Sequence, residues 1–352
     1  MKVYIPSDIK ITIDKKLIFL LARPFYSSNG WIQYGDTFKQ WGLDSDYLKL
    51  VNDIKNSDVL LIPFPINNYV DNGLIHHLEY YNELCEMNMI KGYGYISGDY
   101  GKKYPEFKNM YYFRMSGFRS QLSDHNKGFP AALSDYAKIL FNNEKLIFNE
   151  KSPNPKIGFC GHATSNKVNY LKQLLFYLNE NMNRFIQKPN RNDYEPFFIS
   201  GYERFKILRN LQNDDELDTN IIFRDKYRGG AKNKLELKST TIEYYENIKI
   251  SDYIICIRGT GNFSIRMYEA LMMGRIPVLI NTDCLLPLTK QIDWNEHMVI
   301  IEWEERKEAG NIIKEFHKNI SKDDFQKLQL KNRRLWETHL KPEWILNHLL
   351  EL

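Results

Sequence analysis

No stretch of this chain approaches the ~20 consecutive apolar residues that a membrane-spanning helix needs. The run "LIFLL" within "MKVYIPSDIKITIDKKLIFLLARPF" is far shorter and lacks a signal-peptide cleavage pattern. Cysteine is equally scarce. Cys85, Cys160, Cys256 and Cys284 are the four in 352 residues. They lie too far apart for a zinc motif or a disulfide framework and read as small buried hydrophobes in a reducing compartment. Excess charge of one sign is also missing: 48 Lys plus Arg face 44 Asp plus Glu, a formal net of +4, with the basic residues scattered. Without a basic stripe, nucleic acid is not the expected partner, while a weak attraction to anionic lipid or acidic acceptors stays open. These absences describe a soluble cytoplasmic protein, free or at the inner face of the membrane.

What is present is an alternation of short Ile/Leu/Val/Phe runs with longer stretches of helical period, the pattern of an α/β chain with parallel, doubly covered sheets. Strands are expected at 17–23, 58–64, 92–97, 110–114, 156–160, 220–224, 252–257, 276–280 and 298–303, and helices at 72–86, 166–184, 202–212, 241–248, 264–273 and 304–318. The length exceeds what one core usually serves, and "NEKSPNPKIGF" (149–159) is the natural break. Expected are an N-terminal domain at 1–150, a C-terminal domain at 151–330 and a closing helix at 331–352.

The segment "IRGTGNFSIRMYEALMMGRIP" (257–277) concentrates the chemistry. An apolar strand runs into Gly259 and Gly261, and a helix follows whose free amides, capped by Asn262 or Ser264, suit an anion. Gly274 stands where a left-handed C-cap belongs. Arg266 and Glu269 are three apart and share a helix face, while Arg258 ends the strand, where open α/β sheets bind ligands. Two guanidinium groups grip phosphate and a carboxylate accepts from a vicinal diol. The competing reading is an exposed ion pair between Arg266 and Glu269 on an ordinary helix. As a dinucleotide fingerprint the turn is defective, because Ser264 replaces the third small residue and the acid at the right distance, Asp283, reads as a turn residue.

"IICIRGTGNFSIRMYEALMMGRIPVLINTDCLLPLTKQIDW" resembles the C-terminal signature of the exostosin family of glycosyltransferases. The shared order is a strand ending in Arg-Gly, an Arg-bearing helix, Glu-Ala, Gly-x-Ile-Pro-Val, Leu-Pro and Asp-Trp. "TIEYYENIKISDY" and "KIGFCGHAT" resemble the segments before it, and "DVLLIPFP" and "GFPAALSDY" resemble parts of the N-terminal half. The resemblance implies a GT-B architecture: two facing Rossmann-like domains, acceptor on the first, nucleotide-sugar donor on the second, and a terminal helix returning to the first. Carried over, Arg258 and Arg266 would hold the diphosphate and Glu269 the ribose of a donor that is most often uridine-based. Asp293, at the Asp-Trp position, would have a role in the loop or a contact. Inversion without a metal or other cofactor is implied, with arginines and helix amides stabilising the leaving diphosphate.

An inverting transferase also needs a general base. Asp99 in "YISGDYGKKY" is the first candidate, Asp36 in "WIQYGDTF" the second and Asp71 the third; each alternatively caps a turn. Asp44-Ser45-Asp46 spells Asp-x-Asp but reads as a helix cap. His162 in "GFCGHATSN" and Arg228 in "YRGG" are added as donor contacts, whereas His76 and His77 read as fillers. Trp31, Tyr34, Phe38 and Trp41 form an aromatic group able to stack on acceptor sugar or to fill a core. The expectation is a transferase acting on a glycan or lipid-linked oligosaccharide in surface-polysaccharide assembly. A catalytically silent, glycan-binding family member and an NAD-linked oxidoreductase are the alternatives.

Overall fold

The computed structural model describes residues 1–7, 18–23, 25, 48–141, 148–342, 344, 345 and 348. The chain divides into two compact units: Met1–Ser134 with Leu285–Gln291 and His339–Leu352, and Asp135–Cys284 with Ile292–Thr338.

The first unit holds the strands β1 (Lys2–Tyr4), β2 (Lys49–Leu50), β3 (Val59–Leu61), β4 (Lys91–Tyr95), β5 (Met110–Arg114) and β6 (Asn126–Gly128) in the order β2-β1-β3-β4-β5-β6. Every pairing is parallel, and helices α1 (Ile66–Asp71) and α2 (Ile75–Met87) connect β3 to β4. In the second unit, β7 (Lys156–His162), β8 (Asp218–Arg224), β9 (Tyr253–Cys256), β10 (Ile276–Asn281) and β11 (Val299–Glu302) form a second all-parallel sheet in the order β11-β10-β9-β7-β8. Its helices are α3 (Tyr136–Phe141), α4 (Lys167–Gln187), α5 (Ser200–Gln212), α6 (Lys234–Ile250), α7 (Ile265–Met272), α8 (Ala309–Asn319) and α9 (Lys322–His339). Two parallel-sheet α/β units are what a GT-B chain requires.

The central strands are buried on both faces, as parallel sheets demand. Tyr253, Ile255 and Ile257 join Ile157, Phe159, Val278 and Ile301 in one core with Leu208, Leu211 and Ile313 of the covering helices. The alternate residues Ile254 and Cys256 are just as inaccessible. Each fully buried aliphatic or aromatic side chain here contributes about 1.5–3 kcal/mol.

Two expectations shift. Residues 18–23, read as a strand, form turns in which the amides of Ala22 and Arg23 both bond to the Phe19 carbonyl. Ile18, Phe19, Leu21 and Ala22 are buried as their apolarity requires, but burial alone does not choose a backbone conformation. The unit boundary falls at 134/135, and residues 135–150 go with the second unit. Asp135 binds Arg333 through both carboxylate oxygens, at 3.0 and 2.5 Å. Tyr136 stacks on Tyr245 with centroids 4.4 Å apart, and Asn149 Nδ2 donates to Asp252 at 2.9 Å. For the same reason α9 packs on the second unit as far as Thr338, and it is His339–Leu352 that group with the first.

Candidate active site

The site grows from the carboxyl ends of β7 and β9. Helix α7 follows β9 after the turn 257–264 and ends in a Schellman arrangement: Gly274 takes φ +61°, its amide bonds to Leu271 O, and Arg275 N bonds to Ala270 O. This short, tightly closed helix aims Arg266, in its first turn, back over β7. The Arg266 guanidinium lies 4.0 Å from the centre of the Phe159 ring and donates from Nη2 to Cys160 O at 3.0 Å. Its Nε is buried with no hydrogen-bond partner.

Two more arginines converge there. Arg258 is buried; its Nη2 donates to Glu195 Oε1 at 3.1 Å and to Thr260 O at 2.7 Å, and its guanidinium stands over Phe198. Arg204 of α5 donates to the carbonyls of Ile257 (2.9 Å), Arg258 (3.1 Å) and His162 (3.3 Å), tying the ends of both strands together. Burial, then the positive charges of Arg266 and Arg258, hold the Arg204 guanidinium down to about 9. Burial also lowers Arg258, with Glu195 opposing it.

Glu269 completes the group. Tyr244 and Tyr245, neighbours on α6, each donate a hydroxyl to it, the latter at 3.0 Å. Burial raises its carboxyl above the ordinary 4.5, against the tyrosine hydrogen bonds and the Arg266 charge. No ion pair joins Arg266 to Glu269 among the described residues, so the exposed-ion-pair reading fails. Helix α6, which carries both tyrosines, begins at a side-chain cap. Asn233 accepts from Glu236 N at 2.9 Å while Glu236 accepts from Lys232 N at 2.7 Å, a reciprocal cap.

His162 ends β7 beside Arg204, and burial followed by that neighbouring charge lowers its imidazole. Gly259 is half-exposed, and a side chain there would meet little beyond Arg204, with Nη2 at 3.5 Å. Gly261 is buried and its carbonyl accepts from Phe263 N. Asn262, expected as a cap, is fully buried and instead donates to Thr282 O and Asp283 O, both at 2.9 Å. It staples the turn to the loop after β10. Ser264 is the N-cap residue, with no side-chain cap bond. Asp283 occupies a left-handed turn at φ +64°, and Asp293 caps the short helix Trp294–Glu296 through Asn295 N at 3.1 Å.

Asp99 belongs to the first unit, on an exposed bend after β4, with its carboxyl raised by partial burial. Asp71 ends α1, exposed. Asp36, Asp44, Asp46, Trp31, Tyr34, Phe38 and Trp41 lie outside the described residues, as does the side chain of Arg228. His76 and His77 are ring neighbours on α2. Among the described residues no group of three His, Cys, Asp or Glu converges to hold a metal, and no helix is long and apolar enough to cross a membrane. The sequence reading missed Arg204, Glu195 and the tyrosine pair. Arg204 looks like any arginine of an amphipathic helix, and only "EYYEN" offered a signal.

Residues 149–316 match the Exostosin GT47 domain. This span, a little under half of the chain, is similar to that domain. It contains all of Arg204, Tyr244, Tyr245, Arg258, Arg266 and Glu269, whereas Asp99 lies outside it. The chain is also similar to plant proteins. One is a "Probable glucuronosyltransferase" of Oryza sativa subsp. japonica, 34% identical over 70 residues, 20% of this chain and 16% of the relative. Another is the "Probable beta-1,4-xylosyltransferase IRX10" of Arabidopsis thaliana, 33% identical over 70 residues, 20% of this chain and 17% of the relative. The matched stretch thus spans about a sixth of the length of these curated relatives. A glycosyltransferase structure from Rickettsia africae ESF-5 aligns over 99% of this chain and 96% of that one, at 12% identity and a TM-score of 0.38.

Proposed function

We propose that this protein transfers a sugar from a nucleoside diphosphate donor, uridine-based, to a glycan acceptor. The observation that carries the reading is the meeting of Arg204, Arg258 and Arg266 at the carboxyl ends of β7 and β9, with a buried Arg266 Nε lacking any acceptor. Burial, and after it the repulsion of the neighbouring guanidinium groups, holds Arg204 down to about 9. A diphosphate would relieve that repulsion and supply the missing acceptor.

In this reading the bond between the anomeric carbon and the diphosphate oxygen breaks as an acceptor hydroxyl attacks from the opposite face, inverting the centre. Arg258 and Arg266 neutralise the departing diphosphate, with no metal required. The first amides of α7, which no capping side chain occupies, add to that field. Glu269 receives the ribose diol on the lone pairs its tyrosines leave open, and those tyrosines fix the orientation of its carboxylate. Asp99 takes the proton of the acceptor hydroxyl. Surface-polysaccharide assembly at the cytoplasmic side is the setting this chemistry suits.

Thermal melts of the full chain with UDP, GDP and CDP, each with and without EDTA, test the reading. A rise in Tm with UDP that survives EDTA and disappears in Arg266→Ala supports it. Equal melts with and without every nucleotide would overturn it.

A further inference from the structure

Helix α4 is built inside out. Several polar side chains face the protein: Gln173 Oε1 accepts from Ser200 Oγ (3.1 Å) and Gly201 N (3.0 Å), and Asn181 exchanges hydrogen bonds with the Glu195 backbone at 3.0 and 2.8 Å. Arg184, wholly inaccessible, is paired with Glu180 at 2.8 Å and Glu195 at 3.1 Å. Its apolar side chains face outward. Val168, Leu171, Leu175, Leu178, Met182 and Phe185 follow one another at steps of three and four, and every one is between 51% and 65% exposed. Ile186, 70% exposed, lies on the same stripe, and Phe176, 68% exposed, lies outside it. At 3.6 residues per turn the six positions fall within about 100° of the helix circumference. Soluble surfaces do not leave such an area uncovered without a use.

We propose that this face of α4 docks the protein in the plane of an anionic lipid surface. Charge selects that occupant. The exposed charges of the helix and of its C-terminal flank are Lys167, Lys172 and Lys188. The one acid of the helix, Glu180, is turned inward onto Arg184, and the acids of the following loop, Asp193 and Glu195, are buried against Arg191 and Arg184. A second copy would therefore set lysine against lysine with no exposed carboxylate of the helix itself to pair with them, whereas anionic headgroups meet the lysines as the apolar stripe enters the acyl boundary. Phe197, 58% exposed in the neighbouring loop, adds an aromatic anchor on the same unit. The inference is independent of the donor-site reading, since none of these outward side chains enters that site.

Co-sedimentation of the full chain with vesicles of phosphatidylcholine alone, and of phosphatidylcholine with phosphatidylglycerol, tests the proposal. The protein should bind the anionic vesicles at least ~10-fold more tightly than the neutral ones. Replacing Leu175, Phe176 and Leu178 together by Ser should release it from both, and Lys167→Glu with Lys172→Glu and Lys188→Glu should abolish the preference for the anionic mixture. Both variants change outward side chains only, and an unaltered thermal melt confirms their folding. Independently of either, a Phe176→Trp reporter should shift its emission to the blue with anionic vesicles. A full chain that stays in the supernatant with both vesicle types would overturn the proposal. So would a lipid-free dimer that the triple Ser variant converts to monomer, which would make the occupant a second copy.

Discussion

A Cβ at Gly161 would stand 2.6 Å from Arg266 Nη2. The penultimate residue of β7 is thus bare because a guanidinium from α7 lies across it, held by the Cys160 carbonyl and the Phe159 ring. Gly161→Ala is expected to push Arg266 off this seat while leaving the strand ladder intact. UDP affinity should fall by about tenfold or more, the loss of one charge-assisted hydrogen bond. Calorimetric titration measures it, and an unchanged affinity would remove Arg266 from the donor site.

Glu195 bridges two buried arginines, taking Arg184 on one oxygen and Arg258 on the other, both at 3.1 Å. Glu195→Gln keeps the shape and removes the charge. Because it leaves two buried cations short of a counter-ion, the expected cost is about 3–5 kcal/mol in urea unfolding. Added salt should barely change that cost, since buried pairs are poorly screened.

If Asp99 is the base, its raised carboxyl sets the acid limb of activity. A base works deprotonated, so kcat/KM should fall as pH drops through a value above the ordinary 3.8 of an aspartate. Asp99→Asn should lower kcat by roughly 100-fold or more, with UDP binding unchanged. A variant with full activity would return the role to another acid, Asp36 or Asp71.

Acid should destabilise the fold through its histidines. Burial lowers His162, His297 and His317 from 6.5. His317 sits between the Tyr253 hydroxyl (2.9 Å) and the Ser152 carbonyl (2.8 Å). Below 6.5 the unfolded chain binds protons that the folded chain refuses, so unfolding free energy should decrease from pH 7.5 to 5.5. Urea midpoints across that range test the sign; a midpoint that rises toward acid contradicts it.

Much of the second unit was legible before any coordinates. Parallel strands buried on both faces are continuous apolar runs, so those at 156–160, 252–257, 276–280 and 298–303 stand out, and Gly274 marks a helix end by conformational necessity. β1, β2 and β6 were illegible because two or three residues such as "KL" or "NKG" carry no period. Within the site, Arg258, Arg266 and Glu269 were readable because strand end, turn and helix are contiguous in sequence.

The sequence by itself determined that an α/β chain would present arginine and glutamate after an apolar strand. Tertiary structure alone decided that Arg204, more than fifty residues upstream of Arg258, would bind its carbonyl, and that two tyrosines of α6 would claim Glu269. It also turned Asn262 from an expected cap into a buried staple, and left the apolar side of α4 facing out. The reason is the same each time. Periodicity says which side chains share a face, but which face meets the core depends on partners that folding brings from elsewhere in the chain.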